Sequence, residues 1–284
     1  MSVGNRVRVA IELECSAFKA GNVHSHASFR DMNHAQFVCA AKAIGESVDN
    51  CNNQSVGDIV LKSVQAMIQT TGTNTSLGTI LLMAPLVMAI KSIVTDRMVN
   101  GAGEESTLKA NIQRVLCMLT PEDSRDIYEA IRTAKPGGLG VSKSMDLRDA
   151  APDNILDAMR VAADRDDIAL QYVTDFELVF SIARRLESKQ ASGLSDLDSI
   201  RCIQVELLSE RIDSLIARKQ GLELAKRVQL QAGEVLAAGP YGSRQYELAW
   251  QRFDKSLRDE EHHWNPGTIA DLIAAALMLV RGTG

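Results

Sequence analysis

Apolar residues recur at three- and four-residue intervals along nearly the whole chain, and the pattern breaks only where Gly, Pro and Asn gather. A stripe of that period is buried by packing helix against helix, so the spacing predicts an all-α fold. Composition agrees. Aromatic residues are only 4% and β-branched runs are scarce beside Ala, Leu, Met, Glu, Lys and Arg, which excludes an all-β architecture. With 284 residues, 45% of them hydrophobic, the chain buries a full core. No Pro/Gly/Ser-rich linker divides it and no fixed-period repeat appears, so residues 1–284 are expected to form a single bundle-like domain of about nine to eleven helices.

The periodic segments are 7–17, 34–48, 55–70, 79–94, 106–119, 121–134, 153–186 with a break near Thr174, 198–208, 211–237, 243–258 and 267–280. Ser55 and Ser106 are candidate caps. Thr120 is followed by Pro121, Glu122 and Asp123, which supplies a cap, a proline at the first helical position and acidic residues in the first turn. The segment 135–140 (KPGGLG) cannot propagate a helix cheaply and is read as a loop. The run 80–90 is apolar but contains Pro85 and falls well short of the ~20 residues that span a bilayer, so it reads as a buried helix and no membrane partner is expected.

Charge narrows the partners. The 31 basic and 36 acidic residues leave a net charge of −5 without a basic cluster able to neutralise a phosphate backbone, so no nucleic-acid partner is expected. The five cysteines are scattered with no CxxC spacing, and the N-terminal stretch soon turns acidic and lacks the apolar core of a signal peptide. Both point to a reducing, cytoplasmic setting. Apolar faces on several helices permit a homodimer without requiring one.

Three joints are polar, contain glycine and adjoin strongly apolar helices: Lys19-Ala20-Gly21-Asn22-Val23-His24, residues 72–78 (GTNTSLG, with Asn74), and Asn265-Pro266-Gly267-Thr268 with Asp271 beyond. Such segments are either plain caps and turns or helix N-termini whose unpaired N–H groups favour phosphate. None matches a Walker or dinucleotide-binding pattern. His24, His26 and His34 lack an HExxH companion, and with His262 and His263 they suit a surface or substrate-contact role better than a metal site. Asp164 and Asp167 are spaced to share a helix face, where the two carboxylates either hold a hydrated Mg²⁺ on a nucleotide triphosphate or are simply solvated. Asp213 precedes Arg218 and Lys219, which suit phosphate binding or surface salt bridges. There is no GxSxG, no SxxK and no Cys–His arrangement for covalent hydrolysis.

Taken together, these joints resemble the triphosphoribosyl-dephospho-CoA synthase family, all-helical transferases that make a prosthetic-group precursor. The segment 14–24 (ECSAFKAGNVH) is similar to the family's Glu followed by Pro-Lys-Pro-Gly-Asn-Val-His, and Phe29 and Asp31 fit its Phe-x-Asp. Residues 73–78 (TNTSLG) resemble its Asn-Thr-Asn-Leu-Gly element. KPGGLG, AADRDDIALQY, DSLIARKQG and NPGTIADL, starting at Lys135, Ala162, Asp213 and Asn265, look most like the branch found in archaea and in bacteria with archaeal-type one-carbon cofactors. Phe18 and Ala20 replace the two prolines that flank the family's lysine, and Ser76 stands where the branch usually has Asn.

The resemblance implies a transferase in which the 2′-hydroxyl of 3′-dephospho-CoA attacks C1′ of the ATP ribose and expels adenine. An oxocarbenium-like carbon needs a nearby carboxylate, and the attacking hydroxyl needs a base. Glu14 and Asp31 are the catalytic candidates. Lys19, Gly21, Asn22, His24, Asn74, Asp213, Arg218, Lys219, Asn265 and Asp271 are the nucleotide and substrate candidates, and Asp166 and Asp167 those for Mg²⁺. Two alternatives stand beside this: the same chemistry on an intermediate of a pterin- or furan-type one-carbon carrier, and a noncatalytic nucleotide-binding helical protein.

Overall fold

The computed structural model describes residues 1–50, 55–97, 104–137, 145–258 and 264–280. Among them are fourteen α-helices and no strand: α1 (Val3–Ser16), α2 (His34–Asp49), α3 (Val56–Thr71), α4 (Leu77–Arg97), α5 (Glu104–Cys117), α6 (Pro121–Ala134), α7 (Ile155–Ala162), α8 (Asp167–Val173), α9 (Glu177–Ala191), α10 (Asp196–Glu210), α11 (Ser214–Gln220), α12 (Leu222–Ala237), α13 (Arg244–Ser256) and α14 (Gly267–Leu277). The all-α expectation holds, and the expected count of nine to eleven helices is too low. Two of the long periodic segments contain breaks that period alone hides. Asp166 accepts the N–H groups of Ile168 and Ala169 and so caps α8, which separates it from α7. Gly221, at φ +87°, ends α11 and starts α12. Asp164 and Asp167 therefore do not share one helix face, because Asp164 precedes the cap and Asp167 opens the next helix.

Elsewhere capping chemistry sets the boundaries as read. Ser55 and Thr120 accept from the third N–H of α3 and α6, and Asp123 returns the bond to Thr120 N–H to complete a capping box. Ser106 is no cap, since α5 already begins at Glu104. Residues 138–140 of the KPGGLG loop, and His262 and His263, lie outside the described residues. No helix among the described residues is long and apolar enough to cross a membrane.

The chain forms two compact units, one of residues 1–9 and 39–178, the other of 10–38 and 179–283. In the first, α3 packs on α6 and α4, and α4 packs on α5 and α8. The α3–α6 approach is close because Gly57 leaves room: a Cβ there would stand 2.5 Å from Asp123 Cα. Pro85 lies inside α4 and has no N–H to offer the carbonyl of Leu81, four residues back. The buried Tyr172 hydroxyl, from α8, donates to that carbonyl at 2.6 Å. Tyr172→Phe is thus expected to strand a buried acceptor and cost about 1–3 kcal/mol in chemical denaturation. In a Pro85→Ala background, where the helix supplies its own N–H, the penalty should shrink.

In the second unit α10 packs on α12 and α14, α11 on α12 and α14, and α12 on α13. Helix α14 is apolar apart from Thr268 and Asp271, and Leu272 to Leu277 are each 1% exposed or less. Burying a large aliphatic side chain contributes about 1.5–3 kcal/mol, so this helix anchors the unit and fixes the Asn265–Thr268 turn at its N-terminus.

Candidate active site

Helix α1 ends at Ser16, and the chain then turns tightly, with Lys19 N–H donating to Ala17 O and Asn22 N–H to Lys19 O. The turn folds Lys19 back on α1, where its Nζ stands 3.0 Å from Glu14 Oε1. Both side chains are buried, Lys19 at 1% and Glu14 at 6% exposure. Burial pushes the Glu14 carboxyl above its ordinary pKa, and the Lys19 ammonium opposes that rise. The neighbouring Cys15 thiol is driven up to about 12 by burial and then by the Glu14 charge, so it is no thiolate nucleophile.

Gly21 adopts φ +70°, and a Cβ there would lie 2.8 Å from Leu257 Cβ, so only glycine fits the turn without displacement. Its N–H donates to Asp254 Oδ1 at 2.9 Å. Asp254 in turn binds Arg258, whose Nε reaches Oδ2 at 2.9 Å and whose Nη2 reaches Oδ1 at 2.8 Å. The same Nη2 contacts Asn22 O and His24 Nε2, each at 3.2 Å. His26 N–H meets the other ring nitrogen of His24 at 3.2 Å. A neutral imidazole accepts at one nitrogen only, and a protonated one at neither. Burial first, and the Arg258 charge second, lower the His24 pKa to about 4 and keep the ring neutral at physiological pH. Phe18 packs edge-on against both His24 and His26, with ring centroids 5.0 Å apart in each case.

A chain of side-chain amides crosses the loop. Gln204 of α10 accepts from Ala20 N–H at 2.8 Å and donates to Asn22 Oδ1 at 2.8 Å, and Asn22 Nδ2 donates to Asn265 Oδ1 at 2.6 Å. Donor and acceptor roles are thereby fixed from α10 to the entry of α14. Asp213, 2% exposed, accepts from Leu215 and Ile216 N–H at the start of α11 and from Ile269 N–H in α14. Its carboxylate ties the two helix N-termini together.

The structure thus joins Glu14, Lys19, Gly21, Asn22, His24 and Asn265 in one hydrogen-bonded assembly in the second unit. Asp213 lies in the same unit as a helix clamp, Arg218 and Lys219 occupy the last turn of α11, and Asp271 follows the first turn of α14. Asp31 is exposed in the bend before α2. Asn74, Asp166 and Asp167 belong to the first unit, where Asn74 Oδ1 accepts from Leu77 N–H at the head of α4. Among the described residues no group of three or more His, Cys, Asp or Glu could hold a metal ion unaided. Sequence reasoning missed Gln204, Asp254 and Arg258. The one available signal was Gln204, a lone amide in the otherwise apolar face of its helix.

Together these features define a class: an all-α protein with buried acid–base and amide groups gathered around one loop. The CitG family model, ATP:dephospho-CoA triphosphoribosyl transferase, matches residues 1–283, and the chain belongs to this family of transferases. A crystal structure from Archaeoglobus fulgidus, of a protein provisionally assigned as a triphosphoribosyl-dephospho-CoA synthase, superposes with a TM-score of 0.63 at 21% identity, covering 87% of this chain and 98% of that one. That likeness is one of fold. No curated protein matches the sequence.

Proposed function

We propose that this transferase moves the triphosphoribosyl group of ATP to the 2′-hydroxyl of 3′-dephospho-CoA. The C1′–N9 bond of ATP breaks with its electron pair going to adenine, a C1′–O bond forms to the acceptor, and the hydroxyl proton leaves through a base to the departing adenine. The observation that carries the reading is the buried Glu14–Lys19 pair beside the amide chain. Burial makes the Glu14 carboxyl a stronger base than an exposed one, while Lys19, 3.0 Å away, opposes that rise and orients the group. Glu14 is therefore assigned as the proton acceptor and Asp31 as the carboxylate facing the developing charge. Asn22 and Asn265 orient ribose or base. Since Lys19 Nζ sits on Glu14, phosphate binding is assigned to Arg218 and Lys219.

A triphosphate of charge about −4 near carboxylates costs several kcal/mol at effective protein dielectrics, a cost that Mg²⁺ removes when bound. A hydrated Mg²⁺ needs only one or two protein carboxylates, and on the first unit Asp166, whose Oδ1 also caps α8, and Asp167 would supply them. ATP affinity is expected to fall at least ~10-fold in chelator. Asp166→Asn, which keeps the cap of α8, and Asp167→Asn should both weaken that dependence. Equal ATP affinities by calorimetry with Mg²⁺ and with chelator would remove both residues from metal binding. The test of the function is adenine release measured with ATP and candidate acceptors: release that requires 3′-dephospho-CoA supports it, and release only with a pterin- or furan-type carrier would assign another acceptor.

A further inference from the structure

Gln204 is fully buried in α10, a helix whose Ile200, Ile203, Leu207 and Leu208 are buried as well. A carboxamide buried in such surroundings is costly unless it is hydrogen-bonded, and a methionine or leucine would fill the space without that cost. Packing alone therefore does not account for it. Its hydrogen bonds do: Oε1 accepts from Ala20 N–H at 2.8 Å, and Nε2 donates to Ala20 O at 2.9 Å and to Asn22 Oδ1 at 2.8 Å. A bond to both the N–H and the C=O of one residue is what a paired strand gives a backbone, so Ala20 is held as if in a ladder although no strand is near. Lys19 lies immediately before this clamped residue and Asn22 two after it. The second anchor of the loop, Gly21 N–H on Asp254, holds the turn between them.

We propose that Gln204 is a positioning residue: its carboxamide sets the loop through which Lys19 holds Glu14 and Asn22 meets Asn265. The clamp needs the N–H of Ala20, which a proline at that position would lack. It supplies through hydrogen bonds the stiffness that a proline ring would supply covalently. The proposal rests on the reading of this loop as the active site, and its test has one arm that does not require turnover.

In the full-length protein, Gln204→Met keeps length and volume and removes all three bonds. Amide exchange of the 17–24 segment is expected to speed up at least ~10-fold, whether or not the preparation transfers triphosphoribosyl groups. In the turnover arm kcat is expected to fall roughly 10–100-fold with a smaller change in the KM for ATP, because a loosened loop misplaces groups that act in the transition state. Adding Ala20→Pro to Gln204→Met should recover several-fold in kcat, which repair of a merely structural defect in α10 would not do. Should Gln204→Met fail to fold, Gln204→Glu keeps the acceptor for Ala20 N–H, loses both donated bonds, and is expected to move exchange and kcat in the same directions. Wild-type exchange in the 17–24 segment, an unchanged kcat in active protein, or a double variant no faster than the single one would each overturn the proposal. An inactive wild type whose loop exchange still responds to Gln204 would instead count against the proposed reaction and leave the clamp standing.

Discussion

Glu14→Gln is expected to lower turnover by about 10²–10⁴-fold while ATP affinity changes far less. The amide keeps the shape of the side chain and leaves an oxygen for the Lys19 ammonium, 3.0 Å away in the wild type, but it cannot take up a proton from the acceptor hydroxyl. The size of the loss follows from the environment. Glu14 is buried at the end of α1, and burial raises its pKa, so the group that is removed is a stronger base than an exposed carboxylate. Steady-state kinetics beside ATP titrations check this, and turnover within tenfold of wild type would take Glu14 out of the chemistry. Asp31→Asn separates the second carboxylate: exposed Asp31 should affect turnover more than ATP affinity if it faces the developing charge, and unchanged turnover would exclude it.

Lys19→Met is expected to cost stability first, by about 3–5 kcal/mol at neutral pH, because it leaves a buried carboxylate without its counter-charge. The penalty should depend on pH in a set direction. Glu14 already has a folded-state pKa above its ordinary 4.5, burial being the cause and Lys19 the opposing influence, so losing Lys19 raises it further. A raised carboxyl pKa means the folded state keeps the proton longer than the unfolded chain does as pH rises. Its stabilising share is then complete below the unfolded value and is lost as pH climbs through the folded one. The gap between Lys19→Met and wild type should therefore be widest at neutral pH and narrow as the buffer is acidified toward the unfolded value. Urea midpoints across that range check it, and a penalty independent of pH would mean that Glu14 stays ionised without Lys19.

Helix type was legible throughout because the 3.6-residue period and the Ser55 and Thr120 caps act locally. The breaks at Asp166 and Gly221 were not, because an aspartate inside a periodic run reads equally well as a solvated face, and a single glycine is tolerated in a helix at modest cost. At the site, Glu14, Lys19, Gly21, Asn22, His24 and Asn265 could be picked out as candidates by residue type and motif. What could not be read was that Lys19 turns inward to a carboxylate, since that depends on a tight turn and on burial by helices about two hundred residues away in sequence. Gln204, Asp254 and Arg258 are separated from the loop by more than 180 positions, and no local rule connects them to it.

The most direct test of the account follows the γ-phosphate. The protein is incubated with ATP labelled at that position and with 3′-dephospho-CoA, and the nucleotide products are separated and counted. The account predicts that the label moves intact into a dephospho-CoA product of higher mass while unlabelled adenine accumulates in equal amount. Label appearing as free phosphate, or remaining in ATP while dephospho-CoA is unchanged, would contradict it.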